Sequence, residues 1–135
     1  MTVLVVDAAN VVGSRPDGWW RDRAGAAARL LGRLATMPGA PMTGPDGAPV
    51  SFPEVVAVVE GQARGVPAPD GVRVVRAPGS GDDALVDVAV ALAGTPLLVV
   101  TADRGLRYRL PAGTAVAGPG WLLAELDRID CAPPA

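Results

Sequence analysis

Histidine and lysine are both absent from the 135 residues, so every one of the 12 positive charges is an arginine. That excludes a histidine general base and a lysine Schiff base, and leaves carboxylates to carry any acid–base or metal chemistry. A single cysteine, Cys131, cannot close an intramolecular disulfide, as expected in a reducing compartment. No apolar run reaches the roughly 20 residues that span a bilayer. Met1 leads straight into a strand-like segment without a basic region or a small-residue cleavage site. A cytoplasmic location with no membrane partner is the expectation. A net charge of -2 lacks the broad basic field of a DNA-coating protein, so any nucleic-acid contact has to be local or bridged by a cation. Arginine, alanine, glycine and proline in place of lysine also fit the coding bias of a GC-rich bacterium.

What is present is hydrophobic, at 50 % of the chain, enough for one compact domain over residues 1–130. Four short runs rich in Val and Leu read as buried strands: Val3 to Val6, Val55 to Val59, Val72 to Val75 and Leu97 to Val100, with Thr114 to Ala117 a weaker fifth. Runs apolar on both faces predict a sheet covered on both sides, hence an α/β fold with three α/β/α layers and a mostly parallel sheet of four to five strands. Three helices are predicted between them. Residues 19–35 align Trp20, Ala24, Ala27, Leu31 and Leu34, residues 82–93 carry Leu85, Val88, Ala89 and Leu92, and residues 120–129 carry Leu122, Leu123, Leu126 and Ile129. The stretch 37–54 is too dense in Pro and Gly for a regular element and reads as a long loop or flexible arm. Residues 131–135 read as a frayed tail.

In an open parallel sheet, ligands bind beyond the carboxyl ends of the strands, and here those positions are acidic. Asp7 follows the first strand, Glu60 the second and Asp103 the fourth, while Asp82 and Asp83 open the helix before it. Asp83 and Asp87 are four apart and share a helical face. Gathered carboxylates repel and raise one another's pKa unless a cation neutralises them, and Mg2+ or Mn2+ accepts such oxygen ligands while leaving room for phosphate. Each residue also has a plainer use. Asp7 could bond loop amides, Asn10 could be a turn residue, and Ser80 or Asp82 could cap the helix. Asp87 could be a solvated position, Asp103 could pair with Arg104, and Glu60 is read as structural.

The segments VVDAANV (Val5 to Val11), SGDDALVD (Ser80 to Asp87) and VVTADRGL (Val99 to Leu106), in that order, resemble the NYN domain of the PIN-like nuclease superfamily, which includes the YacP-type ribonucleases. The resemblance spans nearly the whole chain. It implies a PIN-like fold and a metal-dependent ribonuclease acting on single-stranded RNA. It also implies a catalytic set of Asp7, Asn10, Asp83 and Asp103, with Asp82 and Asp87 as auxiliary metal acids. Two departures stand out: Gly105 occupies a position where many NYN domains have a second acid, as in the YacP-like branch, and Ser80 and Gly81 precede the helix acids where a lysine is common. A weaker or single-metal site fits these departures.

Arginines beside aromatics suit single-stranded nucleic acid, because guanidinium pairs with phosphate and rings stack on bases. The residues in question are Arg15, Trp19 and Arg21 before the first helix and Arg104 and Arg107 after Asp103. Trp20 is expected in the core, Trp19 as a staple at the start of the helix, and Arg29 and Arg33 in solvent. A second class of function is an RNA-binding or regulatory module with an impaired site on the same fold; a homodimer is compatible with either. A phosphotransferase with Asp7 as nucleophile ranks last, because Ala9 stands where a second aspartate is usual and no lysine is available for phosphate. GPGW and PGSGDD lack the spacing and the lysine of a phosphate loop.

Overall fold

A computed structural model describes residues 2–131. Five strands form one parallel sheet in the order β5-β4-β1-β6-β7. They are β1 (Val3–Asp7), β4 (Glu54–Val59), β5 (Val72–Arg76), β6 (Leu97–Val100) and β7 (Ala115–Ala117). β1 is central, paired in parallel with β4 on one side and β6 on the other, with Val6 opposite Ala57 and Val100. The Val- and Leu-rich runs fold as strands because β1 and β6 are buried along their whole length, and branched side chains pack well on a pleated surface.

Alternate residues of each strand feed two separate cores. On one face Leu4, Val6, Val55 and Ala57 pack with Leu31 and Leu34 of α2 (Arg23–Leu34) and Leu122 and Leu126 of α5 (Pro119–Asp130). On the other, Val5, Val56 and Val99 pack against Leu85 and Ala89 of α3 (Gly81–Ala91) and Leu106 of α4 (Arg104–Arg109). Each buried Val or Leu contributes about 1.5 to 3 kcal/mol, so the two cores fix the three α/β/α layers, as expected of a PIN-like fold. No described helix is long and apolar enough to cross a membrane.

Four expectations need correction. The stretch 37–54 holds a two-stranded antiparallel hairpin, β2 (Met42–Thr43) with β3 (Pro49–Val50), and is not a free arm. It is pinned to α5 across 82 and 78 residues of chain: Thr43 N donates to Glu125 at 2.5 Å and Trp121 Nε1 donates to Thr43 O at 2.9 Å. Trp20 is 52 % exposed rather than core. The first helix does not start at residue 19: a 3-10 turn, Trp19–Arg21, precedes it, and Asp22 caps α2 by accepting from Gly25 N at 2.9 Å, so Trp20 is off the helical stripe. Arg33 is not free in solvent but is bonded to Asp127 at 2.7 Å and Asp130 at 2.8 Å. Two short helices were not anticipated, α1 (Ala8–Val12) and α4. Of the expected tail, residues 132–135 lie outside the described residues; Cys131 is a free, exposed thiol.

Candidate metal centre

The chain moves outward on one side of β1 through β4 and β5, then crosses through α3 to the other side at β6. The carboxyl end of β1 is therefore the point where the winding reverses, where such sheets open a crevice. Asp7 is the last residue of β1 and is only 4 % exposed. Its carboxylate caps α1, accepting weakly from Asn10 N at 3.4 Å and from Asn10 Nδ2 at 3.1 Å. Thr101 Oγ1, fully buried just beyond β6, donates to the same Asp7 Oδ2 at 3.1 Å.

Asn10 and Thr101 extend this into a frame across two strands. Asn10 Oδ1 accepts from Ala102 N at 3.0 Å, and Thr101 Oγ1 accepts from Asp103 N at 3.1 Å. Asp103 then caps α4, taking Leu106 N at 3.2 Å on its Oδ1. The turn after β6, which carries Asp103, is thus fixed by side chains from β1 and its helix. Thr101 lay inside one of the motifs, yet sequence reasoning gave it no role; a lone threonine ending a Val-rich strand carries too weak a signal. Its use shows only once β6 is placed beside β1.

The helix acids divide. Burial pushes the Asp82 carboxyl above its ordinary value; the neighbouring Asp103 adds to this by its charge and by a shared hydrogen bond, and Glu60 adds further, while Arg109 opposes. Asp83 instead points outward, 70 % exposed, and accepts from Arg109 Nη2 at 2.6 Å. Asp87 is exposed on the same side, and Arg109 is held protonated first by its bond to Asp83 and then by the charges of Asp83, Asp82 and Asp87. Ser80 caps α3, accepting from Asp82 N at 3.2 Å. Glu60 accepts from Gly81 N at 2.6 Å, tying the start of α3 to the end of β4.

Asp7 feels the whole cluster. Burial pushes its carboxyl up most, and the charges of Asp82 and Glu60 push the same way, against the lowering hydrogen bonds from Thr101 and Asn10. Ionisation of these acids is therefore costly unless a positive charge arrives, and the donors are all oxygens, the set that hard divalent cations prefer. Among the described residues, no group of three or more Asp, Glu or Cys side chains stands close enough together to hold a metal ion.

The aromatic and basic residues are more dispersed. Trp19 and Trp20 meet edge to face at 6.0 Å, with Arg23 5.2 Å from the Trp19 ring centroid and Arg21 6.0 Å from that of Trp20. Arg15 bonds Asp127 of α5 at 3.0 Å. Arg104 and Arg107 are exposed on α4, immediately after Asp103, and Tyr108 beside them is 92 % exposed.

No family model matches the sequence, and no curated protein matches it significantly. Among solved structures, the chain is similar to a crystal structure of a variant of Rae1 (YacP) from Bacillus subtilis. The match has a TM-score of 0.66 and 21 % sequence identity, and covers 96 % of this chain and 77 % of the other. The chain thus has the YacP-like NYN fold.

Proposed function

We propose that this chain, with its YacP-like NYN fold, is a ribonuclease that cleaves phosphodiester bonds of single-stranded RNA with Mg2+ or Mn2+. The observation that carries the reading is the buried Asp7 at the switch point of the sheet, its carboxyl raised by burial and by Asp82 and Glu60. The fold neighbour, an NYN-domain ribonuclease, supports it as an analogy of fold.

Asp7, Asp82 and Asp103 are the residues we assign to hold the cation, with Asp83 and Asp87 as outer acids. When bound, the cation supplies an activated water and charge stabilisation for the phosphate. Asn10 and Thr101 orient Asp7 and lock the turn that carries Asp103. Arg104 and Arg107 meet the phosphates that flank the cut, while Arg109 is bonded to Asp83. Trp19, Arg21 and Arg15 serve the strand on the opposite flank.

The test is cleavage of an end-labelled single-stranded RNA. Cleavage is expected with Mg2+ or Mn2+, none with chelator, and loss of at least about a hundredfold in Asp7→Asn, within the range of removing a metal or electrostatic group. A second reading, an RNA-binding module that does not cut, draws on the Arg109–Asp83 ion pair, which already neutralises one acid. RNA binding without cleavage under any divalent cation would select it.

A further inference from the structure

Beside the acid edge lies a pocket of about 380 Å³, bounded by α1, the start of α2 and the 3-10 turn Gly61–Gly65 that follows β4. It falls within the roughly 300 to 1,000 Å³ of small-ligand sites. Ala8, Val12, Ala27 and Val59 give it an apolar floor, while Trp19 forms an aromatic wall with the Arg23 guanidinium 5.2 Å from its ring centroid. Its polar rim consists of Glu60, an acceptor, and Gln62, which both donates and accepts.

Two connections tie this pocket to the proposed cation site. Ala8 and Ala9, both lining it, directly follow Asp7, and Glu60 on its rim is, after Asp82, the second acid whose charge acts on Asp7. We infer that the pocket receives one unpaired nucleobase of an RNA strand, so that the adjoining phosphate lies along the acid edge. This deepens the ribonuclease reading and rests on it for the choice of RNA. An apolar floor and an indole wall suit the faces of a flat heterocycle, and the amide and carboxylate at the rim suit its hydrogen-bonding edge. Arg23, which lines the same pocket over the Trp19 ring, is the positive charge available to the phosphate of that nucleotide. A recess between two helices excludes a stacked base pair, so the site selects single strands by shape.

The metal-free protein is titrated with 5′-UMP and 5′-AMP, with ribose 5-phosphate as the base-free control, following the indole N–H NMR signals of the 3 tryptophans. Trp19→Phe assigns the Trp19 signal. That signal is expected to shift and saturate with both nucleotides at millimolar concentrations and to stay fixed with ribose 5-phosphate. Ala63→Leu, which fills the pocket from its wall, is expected to abolish the shift. With RNA, Trp19→Ala is expected to raise KM about tenfold, the scale of one lost stacking contact, and Trp19→Phe to recover most of it. An unmoved Trp19 signal, or equal shifts with the base-free control, would overturn the pocket. Cleavage of RNA with an unmoved Trp19 signal defeats the pocket alone; nucleotide binding without cleavage upholds the pocket and defeats the ribonuclease reading.

Discussion

At the scale of residues, Asp7 is a carboxylate placed where ionisation is costly, and Thr101 is the hydroxyl that makes it tolerable. Thr101→Val removes a buried donor to Asp7 and the acceptor for Asp103 N. It is expected to cost about 1 to 3 kcal/mol in urea unfolding. Because the Thr101 hydrogen bond lowers the Asp7 pKa, its loss raises that pKa further, so the pH at which Mn2+ binding is half-maximal should move upward. A second comparison separates the helix acids. Asp82→Asn should weaken Mn2+ binding by at least about tenfold in calorimetry, and Asp83→Asn by less, because the Asp83 carboxylate is turned to Arg109. Equal losses from both would mean that α3 presents the pair differently. Neighbouring residues on a helix point about a quarter-turn or more apart. Which of the two faces the sheet edge depends on Gly81, Ala84 and Leu85 being buried, which the motif alone does not encode.

At the scale of elements, side-chain clamps decide what the backbone pattern leaves open. Glu125 is 8 % exposed and accepts from Thr43 N and from Arg128 Nε, so Glu125→Ala unties the hairpin from α5. A loss of about 1 to 3 kcal/mol is expected in urea unfolding, with early amide exchange at Thr43. Asp127 joins α5 to the segment before α2 and to α2 itself. Arg33 and then Arg15 hold its carboxyl below its ordinary value. A depressed carboxylate stabilises above its unfolded pKa of about 3.9 and loses that contribution as pH falls through the lower folded value. The melting temperature of Asp127→Asn should therefore lie below that of the wild type at neutral pH, and the gap should close in strong acid; a gap independent of pH would contradict the pairing. The long strands were readable in the sequence because burial on both faces leaves continuous Val and Leu runs. The hairpin was not, since two-residue strands have no period and its anchors lie in α5. α1 and α4 escaped because each is a turn or two long and opens on an acid, Asp7 or Asp103, whose capping role and candidate ligand role look alike in sequence. Trp20 misled because its helical phase holds only if α2 begins before Asp22.

At the scale of the whole molecule, Asp7 at the end of β1 and Asp82 at the start of α3 are each made costlier to ionise by the charge of Glu60 just after β4, and the folded state bears the repulsion. A ligand that binds only the folded state stabilises it by an amount that grows with the logarithm of its excess over Kd, about 2.7 kcal/mol at a hundredfold excess. Millimolar Mn2+ is thus expected to raise the melting temperature by several degrees, and Asp7→Asn to cancel the rise. The positions of Asp7, Glu60 and Asp103 just at or after strand ends were legible from the strands alone; the frame of Asn10 and Thr101 was not, because it depends on β1 and β6 being neighbours. The most direct measurement is an anomalous difference map from a crystal soaked in Mn2+. A peak about 2.1 Å from oxygens of Asp7, Asp82 and Asp103 is expected. No peak at that edge at millimolar Mn2+, or one held elsewhere on the surface, would contradict the metal centre.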